Sequence, residues 1–317
     1  MDLASKYPLC NPWPGRGQSQ VLFILDTRNP FEQDILRGWI QHHAQGDDKL
    51  LQASQVCLDL GDDRRGIDST LLVTALILPS ETLVAPLRVA WLPSPEAINS
   101  GPRLRDLLFG DPRHPGAWRG RRILNNSPER MHLLIGEPDT VANLRARFGR
   151  VHSTDDGDGQ RDFADFVARQ ALVVLDLAER RLQGGRYKVP RQVAASLMAS
   201  RSYNEALDRL AAATGTTKTQ LMKEATGYMD EMVSRPSTFW LDVYAKFNKF
   251  CLGLGYEEEI VCDQAAVEKM RQLVREHPAM LLWTHKTYLD GMVLPKLLYD
   301  NDFPMPHMFG GANLNFP

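Results

Sequence analysis

The sequence predicts an α/β protein in three parts: an N-terminal α/β region, a helical middle region, and the start of a second α/β domain built as strand, turn and helix. Three observations predict it. Short apolar runs alternate with helix-spaced segments over residues 21–150. Apolar residues then recur at three- and four-residue steps over residues 161–276. After Pro278 a short apolar run leads into a polar turn and a second helix-like segment.

Residues 1–20 read as an irregular lead-in without the apolar core of a signal peptide. Val21–Asp26 (VLFILD) is strand-like in length and content. Pro30 then opens a helix-spaced segment with Phe31, Ile35, Leu36 and Trp39 on one side, since proline lacks only an N–H that a first turn leaves unused. Further strands are expected at Leu71–Leu78, Leu87–Leu92 and Met131–Ile135, the last followed by a helix in DTVANLRARFG. Asn99–Ser127, rich in Gly, Pro and Arg, reads as one long loop. Its glycines form neither of the spaced phosphate loops, so this region is not expected to bind a nucleotide.

Residues 151–160 read as a polar linker. The helical region begins at Arg161 and is interrupted at Gln183–Pro190. Gly215 marks one helix end and Thr217–Thr219 the start of the next. Asp263 is placed as an N-cap, with Pro278 just beyond that helix. In the segment 237–254, Phe239, Trp240, Val243, Tyr244, Phe247, Phe250, Cys251 and Leu254 share a broad face. Such a face suits a membrane or an acyl chain, but more often the interior of a helical bundle.

Composition excludes several classes. The 317 residues are 43% hydrophobic and 24% charged, ordinary for a globular protein and long enough for two domains. A formal net charge of −2 gives no electrostatic case for a nucleic-acid partner. Four cysteines without metal-ligand spacing predict neither a zinc site nor a disulfide framework, and no metal is expected. No apolar run is long enough to span a bilayer.

The chemistry is expected at the third part. Ala279–Thr284 (AMLLWT) reads as one buried strand that delivers His285, and Asp290 follows at the start of a helix. The turn between them lets the carboxylate fold back toward the imidazole, fix its tautomer, and leave Nε2 free to take a proton from a hydroxyl. His-x-x-x-x-Asp spacing is common by chance, and the surroundings add to it. The segment from Trp283 to Pro317 offers His285, Lys286, Thr287 and Asp290, then Pro304, Pro306 and His307, then Gly311, Asn313, Leu314, Asn315 and Phe316. In this it resembles the first motif of the membrane-associated glycerol-3-phosphate acyltransferases, which reads His-Arg-Ser-x-x-Asp and continues to a Gly-x-Asn-Leu-Asn-Phe stretch. Lys286 and Thr287 stand where Arg-Ser is common, and Ala312 where Ile is common. A weaker likeness reaches upstream to about residue 190 and includes Ala225–Met232.

The resemblance implies an enzyme that moves a fatty acyl group from acyl-CoA or acyl carrier protein to the 1-hydroxyl of glycerol 3-phosphate. His285 is then the base and Asp290 its orienting partner, with Lys286, Gly311 and Asn313 near the substrates. It implies no cofactor beyond the acyl donor, no metal, and a peripheral place on the cytoplasmic face of the membrane. The family's later motifs do not occur before Pro317, so residues 277–317 are expected to be an incomplete catalytic domain. The alternatives are a dihydroxyacetone-phosphate acyltransferase and a truncated, non-catalytic remnant.

Overall fold

The computed structural model describes residues 12–13, 20–43, 54–60, 68–94, 102, 104–151, 159–184, 197–198, 200–232, 237–256, 260–277, 279–282, 287 and 289–306. They fall into two compact units. Unit 1 holds residues 1–94, 110–182 and 191–230, and unit 2 holds 95–109, 183–190 and 231–317. The α/β reading holds: a mixed sheet is followed by a long series of helices.

The sheet lies in unit 1. Its strands are β1 (Val21–Asp26), β2 (Ser54–Leu58), β3 (Leu83–Trp91), β4 (Met131–Ile135) and β5 (Asp139–Thr140), in the order β2-β1-β3-β4 with β5 also on β3. β1 runs parallel to β2 and β3, whereas β4 and β5 run antiparallel to β3. Every residue of β1 and β3 is buried, as a sheet covered on both faces requires. Pro86 is accommodated inside β3 because its carbonyl accepts from Gly136 N–H at 2.9 Å, on the side where β4 gives way to β5. The N–H that proline lacks therefore falls at a break in the ladder. Gly136 is itself required, since a Cβ there would come within 2.7 Å of both Pro86 and Val174.

One face of the sheet is covered by α1 (Pro30–His43) and α4 (Ala117–Asn126). Leu36, Trp39, Ile40 and Ile123 pack there against Phe23, Leu25, Leu87 and Val89. The other face takes α2 (Thr70–Ala75), α5 (Val141–Val151) and α6 (Gly159–Gln183). Leu72, Leu144, Phe163, Val167, Leu172 and Leu175 pack there with Leu22, Ile24 and Val84. The sheet and α6 thus share one core, across the segment 151–160 that the sequence suggests as a linker.

Four expectations are corrected. Leu71–Leu78 is not a strand: residues 70–75 form α2, because Asp68 caps Thr70 N–H at 3.1 Å and Leu72 and Leu76 bury one helical face. The strand beside β1 is instead β2, whose single valine and cysteine give little β signal. β3 begins at Leu83, four residues before the expected start at Leu87, the run through Ala85 and Pro86 having masked its first half. Asn99–Ser127 contains two helices, α3 (Leu104–Phe109) and α4, in place of one long loop.

A buried ion cluster joins α6 to the sheet. Arg88 of β3 is 1% exposed. Its Nε donates to Asp26 of β1 at 2.5 Å, and its Nη1 donates to Asp176 at 2.7 Å and Glu179 at 2.8 Å, both on α6. The second oxygen of Asp26 accepts from Leu60 N–H at 2.9 Å. Burial alone pushes the Arg88 pKa down, but Asp26, Glu179 and Asp176 outweigh it and hold the guanidinium charged.

Unit 1 also contains α7 (Arg201–Thr214) and α8 (Lys218–Met232). Ser200 caps α7, and Gly215 ends it in the left-handed region at φ 69°. In unit 2, α9 (Thr238–Gly253), α10 (Gln264–Glu276) and α11 (Asp290–Asp300) join α3. Asp263 caps α10 by accepting from Ala265 and Ala266 N–H, as its sequence position predicts.

Candidate functional site

Asp290 is the predicted site residue that the structure describes. His285, Lys286, Gly311 and Asn313 lie outside the described residues. Asp290 opens α11, where the positive end of the helix dipole favours a carboxylate. Its Oδ2 accepts from Thr287 N–H at 2.9 Å. The carboxylate therefore folds back toward the backbone at Thr287, three residues before it. The strand expected at Ala279–Thr284 is not formed in its described part: residues 279–282 are irregular and exposed. No described residue of unit 2 forms a strand, so this run has no ladder to join.

What holds the start of α11 in place is a carbonyl freed by proline. Pro295 lies inside the helix and has no N–H to give to the carbonyl four residues earlier, which is that of Gly291. Tyr244 of α9 donates its hydroxyl to that same carbonyl at 3.2 Å. A second tie runs from the Tyr299 hydroxyl to Asp242 of α9 at 2.6 Å. Lys296 and Asp300 form an ion pair one turn apart on α11. At the far end, Arg271 of α10 donates to Asn301 O at 2.6 Å and stacks over Phe303 at 4.7 Å. The turn carrying Asp290 is thus fixed through Gly291 to a neighbouring helix.

This arrangement predicts a coupled pair of substitutions. Tyr244→Phe leaves the Gly291 carbonyl without its donor and lowers stability by about 1 kcal/mol. In a Pro295→Ala background the restored N–H of residue 295 takes the carbonyl, so the same Tyr244→Phe change costs almost nothing. Urea unfolding of the four proteins measures the cycle. Equal costs in the two backgrounds would refute the link.

The aromatic helix resolves differently from a plain bundle helix. Phe239, Asp242, Asn248 and Leu252 of α9 face inward. Trp240, Phe247 and Phe250 are 62%, 57% and 64% exposed, and Leu254 beyond the helix end is 74% exposed. The one acidic residue of α9, Asp242, is buried, whereas Lys246 and Lys249 are exposed. Among the described residues no helix is long and apolar enough to cross a membrane. None of them forms a cluster of three or more metal-ligating side chains.

A second titratable group gave no signal in the sequence. In the loop between α3 and α4, His114 Nδ1 lies 3.3 Å from Asp111 Oδ2, and Arg113 N–H donates to the other Asp111 oxygen at 2.9 Å. His114 belongs to the segment expected to be loop, where neither spacing nor periodicity marks it.

No family model matches the chain, and no solved structure matches it. Among curated proteins, it is 31% identical over 120 residues to proteins provisionally named acyltransferase plsB1 in Mycobacterium tuberculosis and Mycobacterium bovis. That match covers 38% of this chain and 19% of each relative. It is 25% identical over 128 residues to the dihydroxyacetone phosphate acyltransferase of Mus musculus, covering 39% of this chain and 18% of that protein. The matched stretch is therefore less than a fifth of either relative's length. Over that stretch the similarity supports a relationship to acyltransferases.

Proposed function

We propose that the chain carries the entry motif of a glycerol-3-phosphate O-acyltransferase, with His285 as base and Asp290 as its positioning partner. The observation that supports it most is the Asp290 carboxylate folded back from the start of α11, in a chain related to acyltransferases. In this reading Asp290 holds the His285 Nδ1 proton, and Nε2 removes the proton of the glycerol 3-phosphate 1-hydroxyl. The oxygen attacks the thioester carbonyl of acyl-CoA or acyl carrier protein. The C–S bond breaks, and the leaving thiolate recovers the proton from the imidazolium. Neither a metal nor a cofactor takes part. Lys286 offsets phosphate charge, and Gly311 and Asn313 line the acceptor.

The test is acyl transfer from labelled palmitoyl-CoA to glycerol 3-phosphate, with dihydroxyacetone phosphate offered in parallel. The name of the mouse relative supports the second acceptor as the alternative. Preference for dihydroxyacetone phosphate would transfer the assignment to that reaction. Transfer to neither acceptor, by a protein that contains the whole motif, would reject both in favour of a non-catalytic remnant.

The same reading places the protein on the cytoplasmic membrane surface, with the exposed face of α9 as the contact. Aromatic rings with flanking lysines suit the interface of an anionic bilayer. The chain is expected to float with anionic vesicles at low salt. Trp240→Ser, Phe247→Ser and Phe250→Ser together should weaken binding at least about tenfold, since three rings lose their apolar burial. Wild-type protein remaining at the bottom of the gradient would refute this placement.

A further inference from the structure

We infer that the β1–α1 turn and the loop between α3 and α4 in unit 1 form a binding site for a phosphate group, made by Arg28 and His114. The place is the carboxyl end of the parallel strands, where open α/β sheets take their ligands. β1 ends at Asp26, and Arg28 and Asn29 follow immediately before α1. The Asn29 side-chain amide donates to Pro115 O at 3.4 Å, which sets the residue pair 28–29 beside the pair 114–115. Arg28 is half-buried, and among the described residues its guanidinium has no ion-pair or hydrogen-bond partner. A half-buried guanidinium with no protein acceptor keeps its donors for water or for a ligand's oxygens.

His114 completes the recognition. Its Nδ1 faces Asp111 at 3.3 Å, while 34% of its side chain stays open to solvent. With Nδ1–H directed to Asp111, Nε2 is left as an acceptor. Shielding from solvent and the nearby Arg28 charge hold the imidazole below the usual histidine pKa, against the opposing pull of Asp111 and Glu179. The charged groups around the ring are thus Arg28, Asp111 and Glu179. Arg113 stands behind Asp111 at 3.9 Å, and Arg88 offsets Glu179 at 2.8 Å.

The ligand must bring acceptor oxygens for Arg28 and a hydroxyl for Nε2. A phosphate monoanion brings both, whereas a carboxylate or sulfate at neutral pH brings only acceptors. The amides at the start of α1 are not the source of affinity. Asn29 Oδ1 accepts from Glu32 N–H at 3.1 Å, and Glu32 accepts from Arg28 N–H at 2.9 Å. The side chains of Arg28 and His114 therefore carry the recognition. They belong to unit 1 and Asp290 to unit 2, so this site stands or falls separately from the acyltransferase reading.

The test is calorimetric titration of the 317-residue chain with inorganic phosphate, and in parallel with glycerol 3-phosphate, sulfate and acetate. Phosphate is expected to bind at least about tenfold more tightly than sulfate or acetate, which lack the hydroxyl. Affinity for glycerol 3-phosphate should fall above its second phosphate pKa of about 6, because a monoester dianion has no phosphate hydroxyl left for Nε2, whereas inorganic phosphate keeps one and should show no such fall. Arg28→Gln and His114→Gln should each weaken binding at least about tenfold. Arg28→Lys, which keeps the charge and so guards against misfolding, should show a smaller loss. Lys218→Gln, at an exposed pair with Asp208, should change nothing. Tighter binding of glycerol 3-phosphate than of inorganic phosphate would identify a phosphomonoester as the ligand, and the reverse order free phosphate. The proposal is overturned if millimolar phosphate does not bind, if sulfate binds as well, or if the Arg28 and His114 variants bind as wild type does.

Discussion

Replacing Arg88 by methionine is expected to cost unit 1 about 3–5 kcal/mol of folding stability at neutral pH. The side chains have similar length, so the loss comes from charge. Asp26, Asp176 and Glu179 converge on one guanidinium, and Arg88 is 1% exposed. Without it, three buried carboxylates lose the cation that they share. Burial and mutual repulsion then favour proton uptake by the folded variant. The folded variant therefore binds more protons than its unfolded chain, and its stability rises as pH falls toward the carboxylate range. Urea unfolding at pH 7 and pH 5.5 measures both effects. A deficit under about 1 kcal/mol would show that the cluster is solvated in solution. A deficit unchanged between the two pH values would show that packing, not charge, is what Arg88 supplies.

That cluster also marks the limit of what the sequence makes legible. β1 and β4 are legible at their full extents because each is a short apolar run bounded by turn residues, and strand content alone identifies such a run. The eight-residue run at Leu71–Leu78 has the same appearance, but there a side-chain cap before it and two leucines four apart decide for helix. Short apolar runs do not separate the two states by periodicity. α3 and α4 lie among Gly, Pro and Arg, where composition speaks for loop and only burial of Ile123 on the sheet reveals a helix. Arg88 was one charged residue inside a strand. Its role depends on carboxylates 88 and 91 residues further along the chain, a juxtaposition set by topology. The same holds for Tyr244 and Gly291, which are 47 residues apart. Near the candidate site, the helix start at Asp290 was legible from the change of pattern after Pro278. The outward face of α9 was not, because an aromatic stripe reads alike whether it meets a core, a lipid or solvent.

In the proposed reaction, carried out by a protein that contains the whole set of family motifs, His285→Ala abolishes acyl transfer and Asp290→Asn lowers its rate by a factor on the order of 10⁴, the size of the loss when an orienting carboxylate is removed from a histidine base. The two substitutions act on different parts of one step. Alanine at 285 removes the group that accepts the hydroxyl proton. Asparagine at 290 keeps the size of the side chain, and its amide oxygen can still accept from Thr287 N–H, the bond that Asp290 makes at 2.9 Å. The turn and the start of α11 should therefore survive, and the melting temperature should stay close to wild type. What asparagine cannot do is supply the negative charge that stabilises an imidazolium, so kcat falls while KM for glycerol 3-phosphate changes little. Asp290→Glu retains the charge and should recover part of the rate despite the longer arm. The assay is labelled product formed from palmitoyl-CoA and glycerol 3-phosphate, beside thermal unfolding of each variant. Full turnover by His285→Ala would remove the proposed base. If instead Asp290→Asn lost activity only in proportion to lost folded protein, Asp290 would be a helix cap with no part in proton transfer, and the base would have to be oriented by some other group.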